Sequence, residues 1–142
     1  MADAPYHKLS VLLIEDEAYT RNLLRRMLAQ IGVQSIIEQG NGKDGLMEIV
    51  RTRPDIVFCD IHMKPMNGLQ VLEGVRGIKV KGVNETPVIM LTADSAEESV
   101  RAALKHNVNG YLVKPVSPAQ LKERIDTVYA TSTYVQQRVQ MR

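Results

Sequence analysis

Four places in this 142-residue sequence set a polar or charged residue directly after an apolar, β-prone run. Glu15, Asp16 and Glu17 follow "VLLI", Asp60 follows "IVFC", Thr92, Ala93 and Asp94 follow "VIML", and Lys114 and Pro115 follow "YLV". Each has a plain reading on its own. Asp60 can be the first exposed residue after a strand, Glu15 and Asp16 acids entering a helix, Thr92 and Asp94 capping residues, and Lys114 a snorkelling surface cation. Brought to one edge, three carboxylates, a hydroxyl and an ammonium have a chemistry together. Crowded carboxylates repel unless they share a proton or a cation. An all-oxygen set with few protein ligands suits Mg²⁺, which keeps several waters and holds phosphate oxygens on its remaining positions. A carboxylate beside that ion can attack a phosphoryl group and form an aspartyl phosphate. Mg²⁺ and Lys114 would neutralise the equatorial oxygens, and the Thr92 hydroxyl would donate to one of them.

The elements that must position these residues are legible in the pattern. Continuous apolar, β-branched runs recur at "KLSVLLI" (8–14), "SIIE" (35–38), "DIVFC" (55–59), "PVIML" (87–91) and "GYLV" (110–113). Runs that do not alternate mark strands covered on both faces of a parallel sheet. Between them the 3.6-residue period sets one apolar stripe per segment: Leu23, Leu24, Met27, Leu28 and Ile31, then Val100, Ala103 and Leu104, then Leu121, Ile125, Val128 and Tyr129. Further helices are expected near 42–52 and 68–77, the second weakened by Gly74 and Gly77. Ser95 with Glu98 and Ser117 with Gln120 are spaced as capping boxes, and Pro118 sits where a first-turn proline is tolerated. Strand and helix alternating five times predict right-handed crossovers in an open, doubly wound α/β sheet, a single (βα)5 domain. Ligands of such sheets bind outside the carboxyl ends of the strands, where the strand order reverses.

Composition narrows the class. With 44% hydrophobic and 24% charged residues the chain can bury one core. A net charge of +2 spread along the sequence argues against direct binding of nucleic acid or of a membrane surface. The single cysteine, Cys59, lies in an apolar run and reads as a buried, reduced thiol. No apolar stretch approaches the roughly 18 residues of a membrane helix, and the start has no signal-peptide core, so a cytoplasmic location is expected.

Four ordered motifs carry a family resemblance: "VLLIEDE" with its acidic pair, "DIVFCDIHMKPMNG" with the acid closing the third strand, "PVIMLTAD" with Thr92, and "GYLVKPV" with its Lys-Pro pair. Over about residues 8–130 the chain resembles the receiver domain of bacterial two-component response regulators, a flavodoxin-like fold. The resemblance implies that Asp60 is the phosphoacceptor, with Glu15 and Asp16 metal-binding acids and His62 offering its backbone carbonyl to Mg²⁺. Thr92, Ala93 and Lys114 would hold the phosphoryl group. Thr92 would be the switch residue, with the Tyr111 ring following it inward, and the bond before Pro115 would be cis. His62 and Asp94 fall where the family tunes hydrolysis of the acyl phosphate. The protein would be a phosphoacceptor that assists its own phosphorylation and dephosphorylation, and in that sense not an enzyme. Its partners would be a histidine kinase or phosphotransfer protein and a downstream target, as in chemotaxis, on the face of the fourth helix, fifth strand and fifth helix.

The sequence also departs from the family. Proline usually stands four residues after the acceptor; here Lys64 does, and Pro65 follows. The stretch "GIKVKGVNET" is slightly long and carries no assigned role. Residues 1–7 form an N-terminal extension, and 131–142 are too few for a DNA-binding output domain. Leu121, Ile125, Val128, Ser132, Val135 and Val139 step by four and three, as an extension of the fifth helix into a partner-binding seam requires. A fraying polar tail is the alternative, since Thr131, Thr133 and Val135 are poor helix formers.

Other functions stay open beside the stand-alone regulator. They are a phosphorylation-independent interaction module, a receiver fragment of a longer effector protein, and an aspartyl-nucleophile hydrolase, which would want an acid where His62 stands. A flavin-binding protein of this topology would want a Gly- and hydroxyl-rich loop in place of Glu15-Asp16-Glu17.

Overall fold

The computed structural model describes residues 3–93 and 97–142. Five strands, β1 (Ser10–Ile14), β2 (Ser35–Gln39), β3 (Ile56–Asp60), β4 (Val88–Thr92) and β5 (Gly110–Val113), form one parallel sheet in the order β2-β1-β3-β4-β5. The helices are α1 (Ala18–Ile31), α2 (Gly42–Thr52), α3 (Gly68–Gly77), α4 (Glu97–Lys105), α5 (Pro118–Thr131) and α6 (Thr133–Gln140), with 3-10 turns at Tyr6–Lys8 and Val83–Glu85.

Strand side chains point alternately to the two faces of the sheet, so one apolar run feeds two cores. Val11, Leu13, Ile56, Phe58, Ile89 and Leu91 pack with α1, α5 and α6. Leu12, Ile14, Val57, Cys59, Val88 and Met90 pack with α2, α3 and α4. β3 and β4 are buried at every residue, which is why they read as unbroken apolar runs. Burial in this second core pushes the pKa of the free Cys59 thiol upward and keeps it protonated.

The capping box at α5 is present: the Ser117 hydroxyl accepts from the Gln120 amide, and the Gln120 side chain accepts from the Ser117 amide. Ser95 lies outside the described residues. An equivalent box at Asn67 and Gln70 starts α3. The glycines of α3 do not break it. A Cβ at Gly74 would come within 2.9 Å of Leu46, so the small residue lets α2 and α3 approach. In the long α3–β4 connection the Arg76 guanidinium donates to the Asn84 and Thr86 carbonyls at 3.1 and 2.7 Å, holding the segment in place.

The chain beyond α5 neither frays nor lengthens that helix. Ser132 has an extended backbone and caps a separate helix, its hydroxyl accepting from the Val135 amide at 3.1 Å. The four-and-three spacing does not form a partner-binding seam: Leu121, Ile125 and Val128 from α5 and Val135 and Val139 from α6 are buried in the chain's own core. The N-terminal residues are docked as well. The Ala4 amide and the Tyr6 hydroxyl both donate to Asp126 of α5, at 2.9 and 2.5 Å. No helix among the described residues is long and apolar enough to cross a membrane.

Candidate functional site

The strand order reverses between β1 and β3, and the carboxyl ends of these two strands carry the acids. Glu15 follows β1 and keeps 2% of its surface exposed; its backbone N–H donates to the Gln39 carbonyl of β2, and its carbonyl accepts from Arg21 of α1. Asp16 stands next to it, exposed. Asp60 ends β3 and is 5% exposed. One carboxylate oxygen from each of Glu15, Asp16 and Asp60 lies within 4.8 Å of the others. The loop after Asp60 is held close: Ile61 donates to Leu91 of β4, and its carbonyl accepts from Met63 and Gly68. Gly68 is required there, because a Cβ would sit 2.4 Å from the Asp60 carbonyl oxygen.

Lys114 reaches in from the other side of β3. Pairing of Thr92 with Val113 ends β5 at the sheet edge, and the Lys114 N–H donates to the Thr92 carbonyl at 2.6 Å. Its ammonium donates to Glu15 Oε1 at 2.5 Å and lies 3.5 Å from Asp60 Oδ1. The Lys114–Pro115 bond is cis, as the resemblance implies, and Lys64–Pro65 is cis as well, which the sequence did not announce.

The electrostatics follow from this crowding. Burial alone would lower the Lys114 pKa, but the hydrogen bond to Glu15 and the charges of Asp60 and Glu15 outweigh it and raise it. Desolvation, then the hydrogen bond and charge of Glu15, raise the Asp16 pKa. One ammonium against three carboxylates leaves negative charge that a cation would balance. The donor set is hard oxygen only, so the site could hold a metal ion of that preference.

Of the other expected residues, Thr92 is fully buried at the end of β4 and Ala93 is exposed at the mouth. Tyr111 is half-buried on β5, packed against the second core. His62 is exposed beside the site, its N–H donating to Asp60 Oδ1 at 3.4 Å. Asp94 lies outside the described residues. His7 is exposed in the 3-10 turn that precedes β1. A cleft of about 600 Å³ opens on the β3–α3 side, lined by Asp16, His62, Lys64, Pro65 and Asn67, with Ser99 from α4. Ser99 and Asn67 had no signal marking them as neighbours of the acids, since only the folded chain brings α4 across this loop.

A five-stranded parallel sheet of this order, with an acid triad and a lysine at its carboxyl edge, defines a phosphoacceptor of the response-regulator type. Residues 11–126 match the response regulator receiver domain, and the chain belongs to that family. It is 29% identical over 125 residues to the chemotaxis protein CheY1 of Helicobacter pylori, covering 87% of this chain and 99% of that protein. CheY-3 of Vibrio cholerae is 29% identical over 121 residues, covering 85% and 92% of the two chains. The solved structure of Vibrio cholerae CheY4 superposes with a TM-score of 0.76 at 25% identity, covering 84% of this chain and 98% of that one. A DNA-binding response regulator of the LuxR family from Staphylococcus aureus gives the same TM-score, 0.76, at 29% identity and the same coverage, 84% and 98%. α6 lies beyond the family match, which ends at Asp126.

Proposed function

We propose that the protein is a stand-alone, cytoplasmic response regulator that accepts a phosphoryl group on Asp60 from the phosphohistidine of a kinase or phosphotransfer protein. An Asp60 carboxylate oxygen attacks phosphorus, the P–N bond breaks, and the imidazole leaves with the electron pair. The observation that supports this most directly is the Lys114 ammonium, within 2.5 Å of Glu15 and 3.5 Å of Asp60 at the reversal point of the sheet. From there it can move to a phosphoryl oxygen and lower the charge that develops on it. The residues fit Mg²⁺: Glu15, Asp16, Asp60 and the His62 carbonyl would hold it. Bound there, the ion would supply charge neutralisation to the phosphoryl oxygens.

The Thr92 hydroxyl and the Ala93 N–H bind the remaining oxygens, and inward movement of Thr92 opens space for the Tyr111 ring. His62 and Asp94 set the lifetime of the acyl phosphate by shielding or orienting water. The altered face of α4, β5 and α5 engages a protein target, with no direct contact to nucleic acid. The intact set of Asp60, Thr92 and Lys114 stands against a phosphorylation-independent module. Intact mass after incubation with acetyl phosphate and Mg²⁺ tests the proposal. Wild type gains one phosphoryl group and loses it with time, and Asp60→Ala gains none; an equal gain by the variant moves the acceptor elsewhere.

A further inference from the structure

Asp60 and Glu15 are almost closed to solvent, so a phosphoryl donor must deliver its phosphorus past the cleft at the mouth of the site. Lys64 lines that cleft, four residues after Asp60, with its side chain exposed. Its backbone belongs to a loop anchored by the Met63 and Gly68 bonds to the Ile61 carbonyl, at 3.1 and 2.8 Å. Lys114, the other lysine of the site, is occupied by Glu15 and Asp60 and does not line this cleft. Among the described residues no acid pairs with Lys64, so its ammonium is available to whatever enters the cleft.

We infer that Lys64 is a specificity residue that favours phosphoryl donors whose leaving group departs as an anion. This rests on the reading of Asp60 as acceptor. When an acyl phosphate reacts, an Asp60 oxygen bonds to phosphorus, the bridging P–O bond breaks, and its electron pair leaves on a carboxylate. When phosphoramidate reacts, the P–N bond breaks and the already protonated nitrogen leaves as neutral ammonia. The phosphoryl group is the same in both, so a cation that touches only the phosphoryl oxygens helps both equally. A cation displaced to the side of the departing group helps the acyl phosphate alone, because negative charge grows there only in that reaction. Lys64 lines the cleft beside Asp16 and His62, whereas Lys114 does not line it, so a donor seated in that cleft carries its departing group past Lys64.

The test compares phosphorylation rates of wild type, Lys64→Ala and Lys64→Arg by intact mass, with Mg²⁺, using acetyl phosphate and phosphoramidate. Lys64→Ala is expected to slow acetyl phosphate about three- to fivefold and to leave phosphoramidate within about 1.5-fold, the scale of one exposed charge contact. Lys64→Arg is expected to keep the wild-type ratio of the two donors. Equal slowing of both donors, or no slowing of either, overturns the inference. If wild type accepts from neither donor, Asp60 is not the acceptor, and binding decides the role of Lys64. Acetonylphosphonate, in which CH2 replaces the bridging oxygen, is then titrated into ¹⁵N-labelled protein with Mg²⁺. Shifts at the amides of residues 62–68 that weaken in Lys64→Ala keep the cleft as an acyl phosphate site, and the same shifts in both proteins exclude Lys64 from it.

Discussion

The Lys114 ammonium is bound more closely to Glu15, at 2.5 Å, than to Asp60, at 3.5 Å. The lysine that would hold the phosphoryl group thus rests on a neighbouring acid, and both carboxylates are nearly buried. This single positive charge offsets part of the repulsion among Glu15, Asp16 and Asp60.

Removing that charge leaves the acids to a metal ion. Lys114→Met is expected to bind Mg²⁺ about three- to tenfold more tightly in calorimetric titration, while its phosphorylation by acetyl phosphate falls at least about a hundredfold. Unchanged Mg²⁺ affinity would show that Lys114 does not share the field of the acids.

Like-charge crowding makes a second prediction. Asp60→Asn removes one of three neighbouring carboxylates without changing shape, and is expected to raise stability in urea by about 0.5–1 kcal/mol in the absence of divalent ions. Mg²⁺ should then stabilise the variant less than it stabilises wild type. A variant less stable than wild type in metal-free buffer contradicts the crowding argument.

At the opposite end of the strands, α6 closes on Asp55. This fully buried carboxylate accepts from the Ser10 amide at 2.7 Å, from Arg138 at 3.0 Å, and from Arg142 at 2.6 and 3.0 Å. Deleting residues 133–142 strips Asp55 of both cations and uncovers the core beneath Val135 and Val139. A loss of about 3–5 kcal/mol is expected in urea denaturation. Mg²⁺ affinity, measured on the folded fraction, should stay within about twofold, because this staple and the acids occupy opposite edges of the sheet. An unchanged urea midpoint would make α6 an ornament.

The docked N-terminus gives a pH dependence. Burial would raise the Asp126 pKa, but the Tyr6 hydroxyl, the Ala4 amide and Lys122 outweigh it and hold it below the usual carboxylate range. A carboxyl with a depressed folded pKa contributes stability above its unfolded value, about 3.9, and loses it as pH falls through the folded value. Stability of wild type should therefore drop more steeply below about pH 4 than that of Asp126→Asn. Parallel acid limbs in thermal melts would refute the linkage.

Much of this architecture follows from local pattern. Unbroken apolar runs marked β1, β3 and β4 because burial on both faces leaves no position there for a polar residue, whereas the edge strands β2 and β5 are only partly buried, and the acids after β1 and β3 stood out against those runs. The Ser117 box and Pro118 placed the start of α5 because a cap is satisfied within four residues of chain. The same reasoning failed beyond Thr131. Val135 and Val139 lie in the chain's own core rather than in a partner seam, and periodicity does not distinguish one long helix from two that turn at Ser132 onto that core. Nor could it pair Asp55 with Arg138 and Arg142, separated by 83 and 87 residues. Residue types and their order along the chain sufficed to bring Asp60, Lys114 and the acids to one place, because parallel strands deliver their carboxyl ends to one edge whatever the detail of packing. Which acid the Lys114 ammonium rests on, where Lys64 faces and how the last ten residues close the core depended on the folded chain, because those contacts join groups that only three-dimensional packing brings together.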